Sequence, residues 1–443
     1  MIQQIEKDNP KFIRAWVSYD WANSVHSLVI ASAIFPVYYS AMTTNNLGEQ
    51  IKFLGLYPEA TFNFSLAIAF FFVIILSPIL SSIADVIGNK IRFLRFFCYL
   101  GAFSCMAMFF FKDASLVWLG LLLNITASIG FWGSLVYYNA YLPEIVSEAK
   151  MDKVSAWGYM YGYIGSVILL TICLLMIMFL PEKSADGELT AVGQQQELFY
   201  TRLSFLLTGI WWITFAQYAL RILPNSRTNQ QISENIISIS FKELGRTFKK
   251  LNQFKNVRIF LGGFFFYSLA MQTIFLVAAL FGSSEIGLES AELILTILLI
   301  QLEAILGAWL FSFLSGIMGN KKTILVGLLI WIITCFIAYF MTKDDPSVKT
   351  KFYLMAALVG LVMGGLQALS RSTYAKLLPD TKDTTTYFSF YDVFEKAALF
   401  FGLVIYGVLI EFSGSMKLSA LAMGLSFAIS FVILLFFSMD KSE

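Results

Sequence analysis

Twelve apolar stretches, each long enough to cross a lipid bilayer, constrain this chain more than any other feature. They run near residues 22–42, 61–83, 93–111, 115–138, 154–180, 203–223, 259–282, 290–316, 323–342, 352–370, 388–411 and 416–438, in two sets of six. An apolar helix needs about 20 residues to cross the hydrocarbon core, because each residue rises about 1.5 Å. The runs are continuous and lack the alternation of a barrel strand, so they predict helices. Charged residues make up only 14% of the 443 positions and hydrophobic ones 58%, with a mean hydropathy of +0.72. A soluble domain carries about 25% charged residues. The expected fold class is an all-α integral membrane protein with 12 transmembrane helices in two parallel six-helix repeats.

Net charge is only +2, which argues against nucleic acid as a partner, but the charge is unevenly placed. With the N-terminus in the cytoplasm, that side holds 22 Lys and Arg. The other holds eight: Lys52, Lys112, Lys183, Arg202, Lys343, Lys349, Lys351 and Lys417. The positive-inside rule then predicts a multi-pass protein of the cytoplasmic membrane with both termini cytoplasmic. The first 20 residues are polar and charged, so no cleavable signal peptide is expected. Cys98, Cys105, Cys173 and Cys335 all fall within spans, without ligand spacing, and read as buried small hydrophobes.

The spans divide the chain into a six-helix half (1–223), a basic linker (224–258) and a second six-helix half (259–443). In the linker, Ile237, Phe241, Leu244, Phe248 and Leu251 recur at helical spacing, with Lys242, Arg246, Lys249 and Lys250 on the remaining face. That pattern predicts an amphipathic helix lying on the inner leaflet, with membrane lipid as its partner. The halves echo each other. Gly88-Asn89-Lys90 after span two recurs as Gly319-Asn320-Lys321 after span eight, and Leu142-Pro143-Glu144 after span four resembles Leu378-Pro379-Asp380 after span ten. Parallel repeats of this kind place a solute site at the repeat interface near mid-membrane.

The loop Asp85–Arg92 resembles the loop 2–3 signature of the major facilitator superfamily, Gly-x-x-x-Asp-Arg-x-Gly-Arg-Arg. Asp85, Gly88 and Lys90 match, while Ser81 and Val86 stand at the first Gly and first basic positions. Three further strings resemble one branch, the family of the fungal vacuolar amino-acid effluxer and its bacterial homologues. They are Tyr19-Asp20-Trp21-Ala22-Asn23-Ser24, Tyr138-Asn139-Ala140-Tyr141-Leu142-Pro143-Glu144 and Gly364-Gly365-Leu366-Gln367-Ala368-Leu369-Ser370-Arg371-Ser372. The resemblance implies the major facilitator fold and a secondary active transporter of a small solute, amino acids or related metabolites, working by alternating access. Proton coupling and efflux are the favoured mode, and a functional monomer is expected. A drug or lipid exporter, and a receptor or scramblase on the same scaffold, are the alternatives.

Absences support this reading. Gly316 to Thr323 misses the spacing of a nucleotide-binding Gly-Lys-Thr loop, so a gradient is the expected energy source. One His and four scattered Cys supply no metal cluster, no cofactor is expected, and no catalytic constellation marks an enzyme.

A charge near mid-membrane costs about 2.5–3.5 kcal/mol on insertion scales, so each intramembrane ionisable residue is a candidate. Glu303, mid-span between Leu302 and Ala304, is the first proton-coupling candidate, unless it pairs structurally with a neighbouring helix. His26, the single histidine, is the second, with a plain helix contact as its alternative. Asn23, Asn139, Gln272, Gln301 and Gln367 are candidates for the solute pathway, or else helix-packing contacts. Asp20 and Asn23 share a helix face at the inner mouth of span one, where Asp20 can bridge to Arg371 or to a loop base as an inside gate, or else serve only the helix end, with Arg371 then on phospholipid headgroups. In span eleven Asp392 and Lys396 stand at i and i+4. Lys396 matches a basic position of the family pattern and Glu395 departs from it; the three read as a salt-bridge gate. Asp85, Lys90 and Arg92 are expected to form an inner latch, with plain positive-inside topology as the alternative for Lys90 and Arg92. Gly158, Gly162 and Gly165 predict a close-packing face on span five.

Overall fold

The structure, a computed structural model, describes residues 6–44, 51–225, 236–379, 381–413 and 416–439, apart from the side chains of residues 59, 236–237, 279–280 and 290–291. Among these, twelve helices are long and apolar enough to cross a membrane. They are Pro10–Met42, Ala60–Ile87, Lys90–Phe110, Ala114–Ile145, Glu148–Phe179 and Ala191–Ile222 in the first half. Lys255–Ala278, Glu292–Met318, Asn320–Phe340, Val348–Leu377, Thr384–Ser413 and Met416–Leu435 form the second. They are called spans one to twelve below.

Several spans start earlier than their apolar runs. Span one begins at Pro10 rather than residue 22, because Trp16, Tyr19 and Asp20 are buried against protein, not lipid. From His26 to Ile34 it widens into a π-helix, and Pro36, two residues on, has no N–H to return to the preceding turn. Span one packs on spans five and six, span three on four and six, and span two on four. The same neighbours recur six spans later, so the halves are built alike. They meet where span two faces eleven, span five faces eight and ten, and span four faces eleven.

The span-five glycines face span one. A Cβ would lie 2.5 Å from Asp20 Oδ2 at Gly158, 2.5 Å from Ser24 Oγ at Gly162 and 2.9 Å from the Trp21 carbonyl at Gly165. All four cysteines are buried.

The linker helix runs from Ile236 to Gln253. Residues 226–235 of the linker, the side chain of Ile237, and Asp380 of the second echo lie outside the described residues. One edge of the helix, with Ser240, Thr247 and Leu251, is buried, and the Ser240 carbonyl accepts from Ser82 Oγ of span two at 2.8 Å. Phe241 and Phe248 remain exposed, on the side opposite the basic residues.

The N-terminal segment is tied to span five by Asp8, whose backbone φ is 63°. Its carboxylate accepts from the Ser147 N–H at 2.9 Å and Ser147 Oγ at 2.7 Å, and pairs with Lys150 at 3.2 Å. The Ser147 amide, with help from its hydroxyl and Lys150, holds the Asp8 carboxyl below its ordinary range. A depressed carboxyl stabilises the fold above its unfolded pKa of about 3.9 and loses that contribution as pH falls through the lower folded value. Asp8→Asn is therefore expected to melt below wild type at pH 7, with the gap closing below about pH 4. Melting curves across that range check it; a gap that persists in acid would assign the effect to shape rather than charge.

Candidate functional site

Three polar clusters join the two halves at the end of the bundle that carries the termini. In the first, Asp85 at the end of span two accepts from the backbone N–H groups of Thr386 (2.7 Å) and Thr385 (3.3 Å) and from Thr386 Oγ1 (2.8 Å). These are orphan donors of the first turn of span eleven, where a carboxylate also meets the positive end of the helix dipole. Lys90 pairs with Glu144 and reaches Thr384 Oγ1 at 3.2 Å, and Thr384 in turn donates to Glu144 at 2.5 Å. Asp85 and Lys90 thus act on neighbouring parts of one helix end instead of pairing directly. Arg92 is exposed and stands outside this network.

The second cluster is the counterpart in the other repeat. Asp152, at the start of span five, pairs with Lys376 (2.7 Å) and accepts from Asn320 Nδ2 (2.9 Å) and Ser315 Oγ (2.9 Å). Asn320 belongs to the Gly-Asn-Lys echo; Asp152, Lys376 and Ser315 were not singled out from sequence.

The third lies deeper. Arg371 of span ten is 2% exposed and pairs with Asp20 of span one at 3.1 Å. It also donates to Ser155 Oγ (3.0 Å), the Ser155 carbonyl (2.8 Å) and Asn139 Oδ1 (3.3 Å). Tyr138 donates to the same Asp20 oxygen at 2.6 Å. The guanidinium lies over the rings of Trp16 and Tyr159, at 4.7 and 4.2 Å. Burying a charge in this way requires saturated hydrogen bonding, which these partners supply.

Above this floor is a cavity of about 120 Å³ between the halves. Asp20, Asn139, Gln272, Gln301, Gln367, Arg371 and Glu395 line it, with Phe131, Trp132, Tyr159, Tyr163 and Tyr391 as aromatic walls. Tyr163 donates to Gln367 across the halves. On span eleven, Lys396 lies 3.1 Å from Asp392 and 2.5 Å from Glu395, and 3.7 Å from the centre of the Trp132 ring on span four. Gln272 donates to the other Glu395 oxygen at 3.1 Å. Among the described residues, every side-chain hydrogen bond or ion pair between the halves lies at this cavity or on its terminal side.

A second cavity of about 550 Å³ lies toward the opposite end, bounded by spans one, two, four, seven and eleven. It shares Ser27, Phe131, Trp132, Gln272 and Phe275 with the first and is otherwise walled mainly by apolar side chains.

Not every residue singled out from sequence converges here. Glu303 is half-buried on span eight and does not line either cavity. Gln301, two residues before it, does; at about 100° per residue the two point well apart around the helix. His26 lines the second cavity, stacked on Phe131 with ring centroids 5.0 Å apart. Asn23 is fully buried but turned away from the central cavity. The aromatic walls and Ser155 carried no distinguishing sequence signal, although Tyr159 and Tyr163 each adjoin a glycine of the span-five stripe, and Tyr138, which donates to Asp20, opens one of the family strings.

A family model described as vacuole effluxer Atg22 like matches residues 8–443. An uncharacterized MFS-type transporter of Bacillus subtilis (strain 168), YxiO, is 32% identical over 432 residues, covering 97% of this chain and 95% of its own. Autophagy-related protein 22-1 of Aspergillus niger is 27% identical over 288 residues, 61% of this chain but 44% of its own length. Among solved structures, the major facilitator superfamily transporter FucP in its outward conformation aligns over 98% of this chain and 99% of its own, with a TM-score of 0.67 at 14% identity. The proton:xylose symporter XylE aligns over 95% and 94%, with a TM-score of 0.70 at 12% identity. At such identities the structural likeness shows the fold.

Twelve spans in two like-built halves, with the family match and the MFS-type relative over nearly the whole chain, make this a multi-pass membrane transporter of the major facilitator superfamily. Within that superfamily the chain belongs to the Atg22-like vacuole effluxer family.

Proposed function

We propose that this protein is a secondary active carrier that moves a small solute, an amino acid or related metabolite, by alternating access, exchanging it for protons in the direction of efflux. The observation that carries the reading is the polar floor: Asp20 and Arg371, from opposite halves, close one end directly beneath the cavity. By the positive-inside rule that end is cytoplasmic, and the arrangement is then the outward-facing state of a monomeric carrier. Asn139, Gln272, Gln301 and Gln367 are the solute contacts in this reading. Asp85, Lys90 and the Asp152 cluster act as latches, and the linker helix rests on lipid headgroups. The proton site is assigned to Glu395 in preference to Glu303 or His26, because Glu395 alone of the three lines the central cavity. Export of drugs or lipids is the second reading, favoured by the apolar walls of the larger cavity.

Counterflow in proteoliposomes preloaded with pooled amino acids tests this reading. Trace labelled amino acid is expected to accumulate, and Glu395→Gln to abolish flux driven by a pH gradient. Failure of every amino acid to accumulate, with folded protein, would send the search to drugs and lipids. Loss of pH-driven flux in Glu303→Gln but not in Glu395→Gln would return the proton site to span eight.

A further inference from the structure

The charges around the central cavity do not balance. The floor holds one carboxylate and one guanidinium, Asp20 and Arg371, but span eleven holds two carboxylates, Glu395 on the wall and Asp392 behind it, against the single ammonium of Lys396. Both charged side chains that could meet an anion are already engaged. Arg371 donates to Asp20, Asn139 and Ser155 and is covered by two rings, while Lys396 is divided between two carboxylates and the Trp132 face. Asp392 keeps one buried oxygen, Oδ2, with no hydrogen-bond partner among the described residues. On span eight Gln301 is 5% exposed, borders the cavity and makes no hydrogen bond within the protein among the described residues. An amide that borders the cavity and is not used by the protein is free to meet a polar ligand atom.

Resting on the carrier reading above, we propose that the central cavity is a cation site whose solute is an amphipathic amine. Its ammonium group replaces that of Lys396 at Glu395, and its apolar body lies against Trp132 and Phe275 toward the larger cavity. Lys396 is a tethered stand-in for the ligand. When the amine binds, Lys396 moves over to Asp392, whose free oxygen accepts it. Glu395 then serves solute and proton in turn, the competition an exchanger needs. Around that carboxylate stand Tyr391, Asp392 and Lys396 of its own span, with Gln272 and Tyr267 of span seven, Tyr159 of span five and Trp132 of span four. Charge-assisted hydrogen bonding with an aromatic face beside it is a recurrent way of holding an ammonium group.

Three probes share one ring and differ in charge: phenethylammonium, phenethyl alcohol and phenylacetate. Equilibrium binding of radiolabelled phenethylammonium is measured on the full-length protein in lipid nanodiscs, with the other two as competitors. The cation is expected to bind at least about tenfold tighter than the alcohol, the scale of one charge-assisted hydrogen bond, with phenylacetate weakest. Glu395→Gln should remove that preference, whereas Lys396→Met, which deletes the internal competitor, should tighten the cation by roughly threefold or more. Opposite signs in the two variants are what a merely structural triad does not give. Equal binding of cation and alcohol, no binding of any probe to wild type, or weakening in Lys396→Met would overturn the proposal. Counterflow of pooled metabolites in the same preparation separates the two levels. Exchange without charge preference leaves the carrier and removes the cation site; cation binding without any exchange does the reverse.

Discussion

Asp20→Asn is expected to abolish net transport and to leave the protein open at the end that carries its termini. The substitution keeps the shape of the side chain and removes only its charge. Arg371 then remains 2% exposed with no counter-charge at 3.1 Å. Breaking a buried pair from one side costs about 3–5 kcal/mol, because the remaining charge stays desolvated. That penalty falls on the closed-floor state alone, since separating the halves returns the guanidinium to water. A difference of about 3 kcal/mol between two states changes their ratio by roughly 150-fold, enough to invert most carrier equilibria. Alkylation of Ala156→Cys reports the change, because Ala156 is buried against Ala308 and Ala368 across the interface. In the wild-type background the introduced thiol should react slowly, and with Asp20→Asn quickly. The double variant with Arg371→Gln should regain thermal stability without regaining transport, since the interface is then uncharged but no longer switchable. Unchanged alkylation in the single variant would mean that the outer two latches hold this end shut unaided.

The parts of this molecule that hydropathy exposes are those that touch lipid. Spans two, eight and twelve were legible almost to their ends because apolar side chains continue around the helix. Span one was not: its first three turns carry Lys11 and Arg14, which stay exposed, and Asp20, which is buried by protein together with Trp16 and Tyr19. The same bias explains the site. Glu303 drew attention as a lone carboxylate in an apolar run, yet an apolar run says nothing about which face meets the cavity. Gln301, unremarkable in charge, is the residue on that face. The Asp20–Arg371 bridge was legible as one of several pairings, because both residues lie in distinctive strings at the same expected membrane depth, and the folded interface selects it. Asp152 was not, because its partners Lys376, Asn320 and Ser315 lie far along the chain and only the folded interface brings them together. Glu395 looked like one member of a salt-bridge cluster; its exposure to the cavity and the surplus charge around it emerge only when spans four, five, seven and eleven are in place.

Gly307→Ala is expected to be among the most damaging single-methyl changes this chain can suffer. Spans eight and ten approach so closely that a Cβ at Gly307 would lie 1.8 Å from the Leu361 carbonyl oxygen. On the other helix, a Cβ at Gly360 would lie 2.3 Å from the Ile300 carbonyl and one at Gly364 2.2 Å from that of Ala304. Each obstacle is backbone, so no rotamer change relieves it and the helices themselves must separate. Overpacking of this kind costs about 1–3 kcal/mol, and more where backbone must move. Function should suffer beyond that loss, because the two helices carry Gln301 and Gln367 of the cavity wall. Gly262→Ala supplies the contrast. A Cβ there meets nothing within 4 Å, and the residue sits inside the helix of span seven. Replacing an unobstructed helical glycine by alanine stabilises by about 0.5–1 kcal/mol. Melting temperatures in one detergent should therefore move in opposite directions, down for Gly307→Ala and slightly up for Gly262→Ala, while counterflow falls only in the first. If both variants melt together, the approach of spans eight and ten is looser than these distances require, and the cavity wall they share is free to adjust.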